Sequence, residues 1–423
     1  MKRVLVITYY WPPTGGSGVQ RWVKFAKHLP PLGWQPVIYT PENPEQLAVD
    51  RSLEADIPPE AEVIKRHITE PYAIARSLMG SGGGKGAGVN PVNGQDKSLK
   101  QKAALWVRGN MFVPDPRVWW VRPSVAFLKK YLKDHPVDVI VSTGPPQSMH
   151  LIGLEVHRAT GIPWVADFRD PWTKLFYFKH LNLGLRATRQ HHDMEKAVLD
   201  GASAVVAVTP LVQADFQAAT KTPVHLITNG YDEDDFAKPV PGRLDTRFRI
   251  VHTGLFASDG NPTALWEALS GLPFRGSIDL RLAGKVDTEI IEAIKAAGLE
   301  PNLSELGYLS HDESVRELRQ ADMLILPLRK EPEYRKVLPG KIFEYLAARK
   351  PVLGIGQEDG AAAKLLSDAG AGTMLDWPRT EAMADFISRV HDGSFTAAGT
   401  GIGAYSRLAL TRKMTELFDS LTV

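Results

Sequence analysis

The chain has 423 residues, 43% hydrophobic and 23% charged, with a formal net charge of +2. That length suits two or three globular domains with sizeable cores, and so balanced a charge gives no basis for nucleic-acid binding. The absence of cysteine excludes disulfides, a cysteine nucleophile and thiolate metal sites, and suits a reducing, cytoplasmic compartment.

The first segment, MKRVLVITYYWPP, sets two basic residues before an apolar run too short for a secretory signal, so it reads as a buried strand. Further strand-like runs are Gln35–Tyr39, Val137–Ser142, Pro163–Ala166, Ala204–Val208 and His225–Ile227. After a break come Arg249–Thr253, Ile278–Ala283, Leu303–Leu306, Met323–Leu326, Pro351–Ile355 and Gly372–Leu375. β-branched runs that alternate with helical patterns predict α/β architecture with parallel, doubly wound sheets. No run of about 18 apolar residues predicts a membrane span.

Two composition breaks divide the chain. SGGGKGAGVNPVNGQDKS, about 81–98, reads as a mobile loop, and 232–247 reads as a linker with two prolines and mixed charge. The expected organisation is one Rossmann-like domain over 1–231 and a second over 248–403, facing a cleft. A terminal amphipathic helical segment over 404–423, with Leu408, Leu410, Met414, Leu417, Phe418 and Leu421 as its apolar residues, is expected to pack back on the first domain.

Four motifs carry chemistry. In TYYWPPTGGSGVQRW, Gly15, Gly16, Ser17 and Gly18 separate a strand from a helix, where backbone N–H groups can approach an anion. The spacing does not match G-x-G-x-x-G, and Tyr39-Thr40-Pro41 stands where that fingerprint needs an acid, which disfavours a nicotinamide oxidoreductase. In IPWVADFRDPW, Asp167, Arg169 and Asp170 lie at a strand's carboxyl end, either orienting sugar hydroxyls or fixing their own loop. In TNGYDEDDF, Asn229-Gly230 marks a turn, and Asp232 to Asp235 read as a solvated acidic loop rather than a metal site. The adjacent His191 and His192 have no matching ligand cluster.

The fourth motif is ADMLILPLRKEPEYRKVLPGKIFEYLAARKPVLGI. A helix is predicted from about Pro339, with Lys341, Glu344 and Tyr345 on one face. Lysine in a first turn opposes the helix dipole, a penalty that a bound diphosphate reverses, while Glu344 can accept bonds from ribose hydroxyls. The competing reading is a surface Lys–Glu pair. Separately, RVWWVRPSVAFLKKYLK, 117–133, mixes aromatic and basic residues and reads either as a helix packed on the sheet or as a peripheral membrane contact.

The segments VITYYWPPTGGSGVQR, TGPPQSMHLIGLEVHRATGIPWVADFRDPW, TNGYDEDDF, LRLAGKV, LGYLSHDESVRELRQADMLILPL and PGKIFEYLAARKPVLGI occur in this order. Together they resemble the family 4, or group 1, glycosyltransferases of the GT-B fold, bacterial surface-polysaccharide enzymes in particular. The resemblance implies a retaining, metal-independent transfer from a nucleotide-sugar to a glycan or lipid-linked acceptor, with no cofactor. It implies catalytic roles for Asp167, Arg169 and Asp170. It implies donor contacts from Gly15, Gly16, Ser17, Asn229, Gly254, Lys285, Gly340, Lys341 and Glu344.

Two departures stand out. Many members have Glu-x7-Glu, whereas Lys336 lies eight residues before Glu344. Many also carry Arg or Lys where this chain reads FASDGNP, which leaves Lys285 or Lys341 to supply the charge. A GT-B sugar-nucleotide epimerase and a non-catalytic nucleotide-sugar-binding subunit are the alternatives.

Overall fold

The computed structural model describes residues 1–45, 49–70, 106–107, 109–175 and 178–422. The Gly-rich segment at 81–98 therefore lies outside the described residues. Two compact units are present: 1–228 with 410–423, and 229–409.

The first unit holds a seven-stranded sheet: β1 (Lys2–Ile7), β2 (Trp34–Pro41), β3 (Glu62–Arg66), β4 (Val139–Gly144), β5 (Trp164–Phe168), β6 (Ala204–Ala207) and β7 (Val224–Leu226). Their spatial order is β3-β2-β1-β4-β5-β6-β7, and every pairing is parallel. Alternation along β1 supplies two cores. Leu5 and Ile7 pack with Met149, Ile152 and Phe168, while Val4 and Val6 pack with Val19, Trp22 and Val23. Both faces are covered, which is why the strands read as continuous apolar runs. β3 escaped the sequence reading because it is an edge strand, half-exposed, with charge at three of its five positions.

The helix Ser17–His28 buries Val19, Trp22, Val23 and Ala26, an i, i+3, i+4, i+7 stripe. The final helix, Arg407–Leu421, adds Leu410, Met414, Leu417 and Phe418 to the same core. Phe418 meets Trp34 edge-on at 5.1 Å, and Lys2 pairs with Asp419 at 2.9 Å.

The second unit holds β8 (Phe248–Thr253), β9 (Ile278–Ala283), β10 (Leu303–Gly307), β11 (Met323–Pro327), β12 (Val352–Ile355) and β13 (Gly372–Leu375). They form a parallel sheet in the order β10-β9-β8-β11-β12-β13. Segment 232–247 is not featureless. Asp232 accepts a bond from the Asp234 N–H and caps a short helix, Glu233–Ala237. Arg243 then binds Asp322 at 2.6 Å and Asp245 at 3.0 Å, tying the segment to this unit.

In each sheet the chain reverses its winding beside the first strand, between β1 and β4 and between β8 and β11. Loops at the carboxyl ends of those strands are where open α/β sheets bind ligands.

Candidate active site

In the first unit, the Gly-rich turn sits at such a reversal. Gly16 adopts φ +103°, and a Cβ there would meet nothing within 4 Å, so its backbone faces open space. Gly15 precedes it, and Ser17 opens the helix. Gly18 is different: a Cβ would lie 2.9 Å from the Arg169 guanidinium.

The DFRD residues divide by what their side chains touch. Asp167 is buried and engaged on both oxygens. Arg21 donates to it through Nε (3.1 Å) and one terminal nitrogen (2.8 Å), Trp22 Nε1 donates at 2.8 Å, and Thr143 Oγ1 at 2.9 Å. Burial alone would raise its pKa, but the Arg21 charge and these bonds outweigh burial and hold it below the carboxylate range. Arg21 also donates to the Thr228 and Ile227 carbonyls at 2.7 and 2.9 Å.

Arg169 is similarly occupied. It donates to the Gly144 carbonyl at 3.3 Å, to Gly18 at 2.5 Å and to Pro145. Asp167 and Arg169, expected as catalytic, thus act as anchors: they fix the Gly-rich turn and the helix behind it onto β4 and β5. Asp170 makes no hydrogen bond among the described residues, and burial pushes its carboxyl up against the pull of Arg169.

Of the two histidines, His192 is exposed and His191 is held by packing. His191 is buried and accepts a bond from Trp172 Nε1 at 3.0 Å, and burial lowers its pKa to about 4. In the acidic loop, Asp235 pairs with His311 at 2.8 Å.

In the second unit, the helix Lys341–Ala347 begins on the predicted lysine, with Gly340 before it and the Pro339 carbonyl accepting from the Ile342 N–H. Lys341 and Tyr345, one turn apart, both reach the end of β8. The Tyr345 hydroxyl accepts from the Thr253 N–H at 3.0 Å. Lys341 Nζ lies 3.4 Å from His252 Nε2 and 3.4 Å from the Leu255 carbonyl. Lys341 is therefore not a surface partner of Glu344. Burial draws the ammonium down to about 8, against the pull of the Glu344 charge. Glu344 is half-buried, its side-chain carboxylate accepts no hydrogen bond among the described residues, and burial raises its pKa.

Two glycines make this arrangement possible. Gly254, at φ +94°, has Lys341 Nζ only 3.0 Å from where a Cβ would stand. Gly284, at φ +107°, lies beneath it, where a Cβ would fall 2.4 Å from the Gly254 carbonyl oxygen. Gly254→Ala should strain the backbone and displace the ammonium. We expect a lower melting temperature in thermal denaturation; an unchanged value would contradict this packing.

Beside Lys341 lies a pocket of about 160 Å³ walled by Leu255, Ala257, Leu328, Tyr334 and Pro339. Full ligand pockets run to roughly 300–1,000 Å³, so this one suits part of a ligand. At its rim Arg329 lies over the Tyr334 ring, 5.9 Å from the centroid, and pairs with Asp259 at 2.7 Å. Asp259 belongs to the FASDGNP loop, where burial raises its pKa while Arg329 lowers it. Lys285 is exposed, and its carbonyl holds the Phe256 N–H at 2.9 Å. Asn229 is half-buried at the start of this unit.

Sequence reasoning missed His252, Arg21 and Thr143. A lone histidine inside an apolar strand gives no signal, and Arg21 and Asp167 are 146 residues apart.

Residues 92–235 match the model of glycosyltransferase family 4, and residues 247–392 match that of glycosyl transferases group 1. The chain belongs to the family 4/group 1 glycosyltransferases. No curated protein matches this glycosyltransferase in sequence. Solved structures share its fold. A sucrose-phosphate synthase from Thermosynechococcus elongatus aligns with TM-score 0.64 and 15% identity, over 100% of this chain and 99% of that one. A glycosyltransferase from Rickettsia africae gives 0.66 and 16%, covering 99% and 98%. Anabaena HepE in complex with UDP-glucose gives 0.60 and 16%, covering 99% and 100%. At such identities the likeness establishes the two-domain GT-B fold of this glycosyltransferase. Among the described residues no helix is long and apolar enough to cross a membrane.

Proposed function

We propose that this glycosyltransferase takes a nucleoside-diphosphate sugar as donor and transfers the sugar, with retention, to a glycan or lipid-linked acceptor in surface-polysaccharide synthesis. The observation that carries the reading is Lys341: an ammonium held at a strand-end pocket at a winding reversal, with an unengaged carboxylate, Glu344, one turn along. An anion there recovers the cost of burying the charge. In this reading Lys341 holds the diphosphate, Glu344 accepts from ribose hydroxyls, and the adjoining pocket takes the base. The HepE complex with UDP-glucose supports a donor of this class.

The transfer breaks the bond between the anomeric carbon and the diphosphate oxygen and forms one to the acceptor hydroxyl oxygen. The acceptor proton passes to the departing phosphate, and Lys341 stabilises the charge that develops there without a metal ion. Within the first unit, Asp170 has its carboxyl unspent and available to an acceptor hydroxyl, and the turn at Gly15, Gly16 and Ser17 leads into a helix N-terminus that favours an anion. Incubation with a panel of nucleoside-diphosphate sugars and lipid-linked acceptors should release nucleoside diphosphate; neither transfer nor slow donor hydrolysis with any of them would sink the reading.

A pH dependence follows from Lys341. Its ammonium loses its proton as pH rises through about 8, so diphosphate affinity is full below that value and declines above it. Between pH 7 and pH 9 the decline should approach about tenfold, since one unit above the pKa about a tenth of the charge remains. Calorimetry across that range should also register proton uptake on binding near pH 8. A flat profile would remove Lys341 from the diphosphate contact.

For the acceptor side we propose a peripheral contact with an anionic bilayer. The helix Val121–Asp134 exposes Arg122, Lys129, Lys130 and Lys133, and Trp119, just before it, is 50% exposed and edge-on to Phe112 at 5.3 Å. Each basic residue near such a surface contributes on the order of 1 kcal/mol. The protein should co-sediment with phosphatidylserine vesicles at low salt and lose most of that binding when Lys129, Lys130 and Lys133 become Gln. Equal sedimentation of both forms would refute it.

A further inference from the structure

We infer that His252 is a positioning residue of the donor site: as a neutral imidazole it accepts a hydrogen bond from Lys341 and aims that ammonium at the donor's diphosphate. This rests on the donor reading above, but its geometry is independent of it. His252 is fully buried at the carboxyl-terminal end of β8, its ring 4.6 Å from that of Phe256. Its Nδ1 lies 3.2 Å from the Ile325 carbonyl oxygen, which can only accept, so Nδ1 carries the proton. Nε2 is then a lone pair, and Lys341 Nζ stands 3.4 Å from it.

The groups around the imidazole keep it neutral. Burial disfavours the imidazolium and the Lys341 charge repels it, while the Ile325 and Leu255 carbonyls favour it less strongly, leaving its pKa well below the ordinary value. Around the ammonium stand the His252 lone pair, the Leu255 carbonyl and, more distantly, the Glu344 carboxylate. Two neutral acceptors thus fix Nζ over Gly254 without cancelling its charge. A carboxylate in place of His252 would pair with Lys341 and compete with a phosphate; an imidazole orients the ammonium and leaves its charge available.

The test compares His252→Gln, which retains a strong acceptor, with His252→Phe, which has none, and His252→Met, whose thioether is only a weak one, each checked by thermal denaturation. The first readout needs no ligand: the Cε resonance of Lys341, assigned through Lys341→Arg, is titrated by NMR in ¹³C-lysine-labelled protein. Losing an acceptor from the charged form should lower the Lys341 pKa by about half a unit or more in the Phe and Met variants, and by less in Gln. The second readout is calorimetric binding of UDP. His252→Met should weaken it about fivefold, His252→Gln by less than about twofold, and His252→Met should cost nothing further in a Lys341→Met background. An unchanged Lys341 titration, or an equal cost of His252→Met in both backgrounds, would reduce His252 to a packing residue and overturn the inference. If the wild-type protein binds no UDP, the donor reading fails while the Lys341 titration still decides the role of His252.

Discussion

Arg21→Met should destabilise the first unit by about 3–5 kcal/mol, the range for removing one partner of a buried ion pair. The single change leaves the Asp167 carboxylate buried with only Trp22 and Thr143 as donors, and frees the Ile227 and Thr228 carbonyls. The loss should appear as an early unfolding phase in urea, followed by the near-ultraviolet signal of Trp22, Trp34 and Trp164, all in this unit's cores. A second change, Asp167→Leu, should restore part of the stability, because no lone charge then stays buried. The pair also sets an acid limit. The Asp167 pKa is depressed on folding, so its contribution is present above the unfolded carboxylate value near pH 4 and is lost as pH falls through the lower folded value. An Arg21→Met protein within about 1 kcal/mol of wild type would show that the pair anchors nothing.

Lys341→Met should weaken nucleoside-diphosphate binding by about 10- to 100-fold, since a hydrogen bond to a charged group contributes roughly 1.5–3 kcal/mol and each 1.4 kcal/mol is a factor of ten. Melting temperature should hold or rise, because the variant no longer buries an ammonium. That combination separates a binding lysine from a structural one: a structural lysine would lose stability and binding together. Glu344→Gln should cost less, about tenfold, because the amide keeps one acceptor oxygen for a ribose hydroxyl. Lys341→Met with unaltered affinity would remove the diphosphate from this pocket.

The fold was legible because parallel strands covered on both faces leave apolar runs such as VLVI and MLILP, bounded by Gly and Pro. β3 was not, because an edge strand carrying Glu62, Lys65 and Arg66 lacks that signature. The start of the Lys341 helix was readable from Pro339 and the spacing of its apolar residues. Where the lysine points was not, because that depends on Gly254 and Gly284 adopting positive φ and on a histidine 89 positions earlier. The DFRD cluster shows the converse. A motif at a strand's carboxyl end suggests chemistry, yet two of its three charged residues are consumed by partners on distant segments.

The proposed donor site sets Lys341 against the diphosphate and Glu344 against the ribose. Calorimetric titration of the wild-type protein with UDP and then UMP, repeated on Lys341→Met, tests this most directly. The predicted result is binding of UDP at least about tenfold tighter than UMP in wild type, with that preference abolished in Lys341→Met. Equal affinity for the two nucleotides in wild type, or a preference that persists in Lys341→Met, would contradict it.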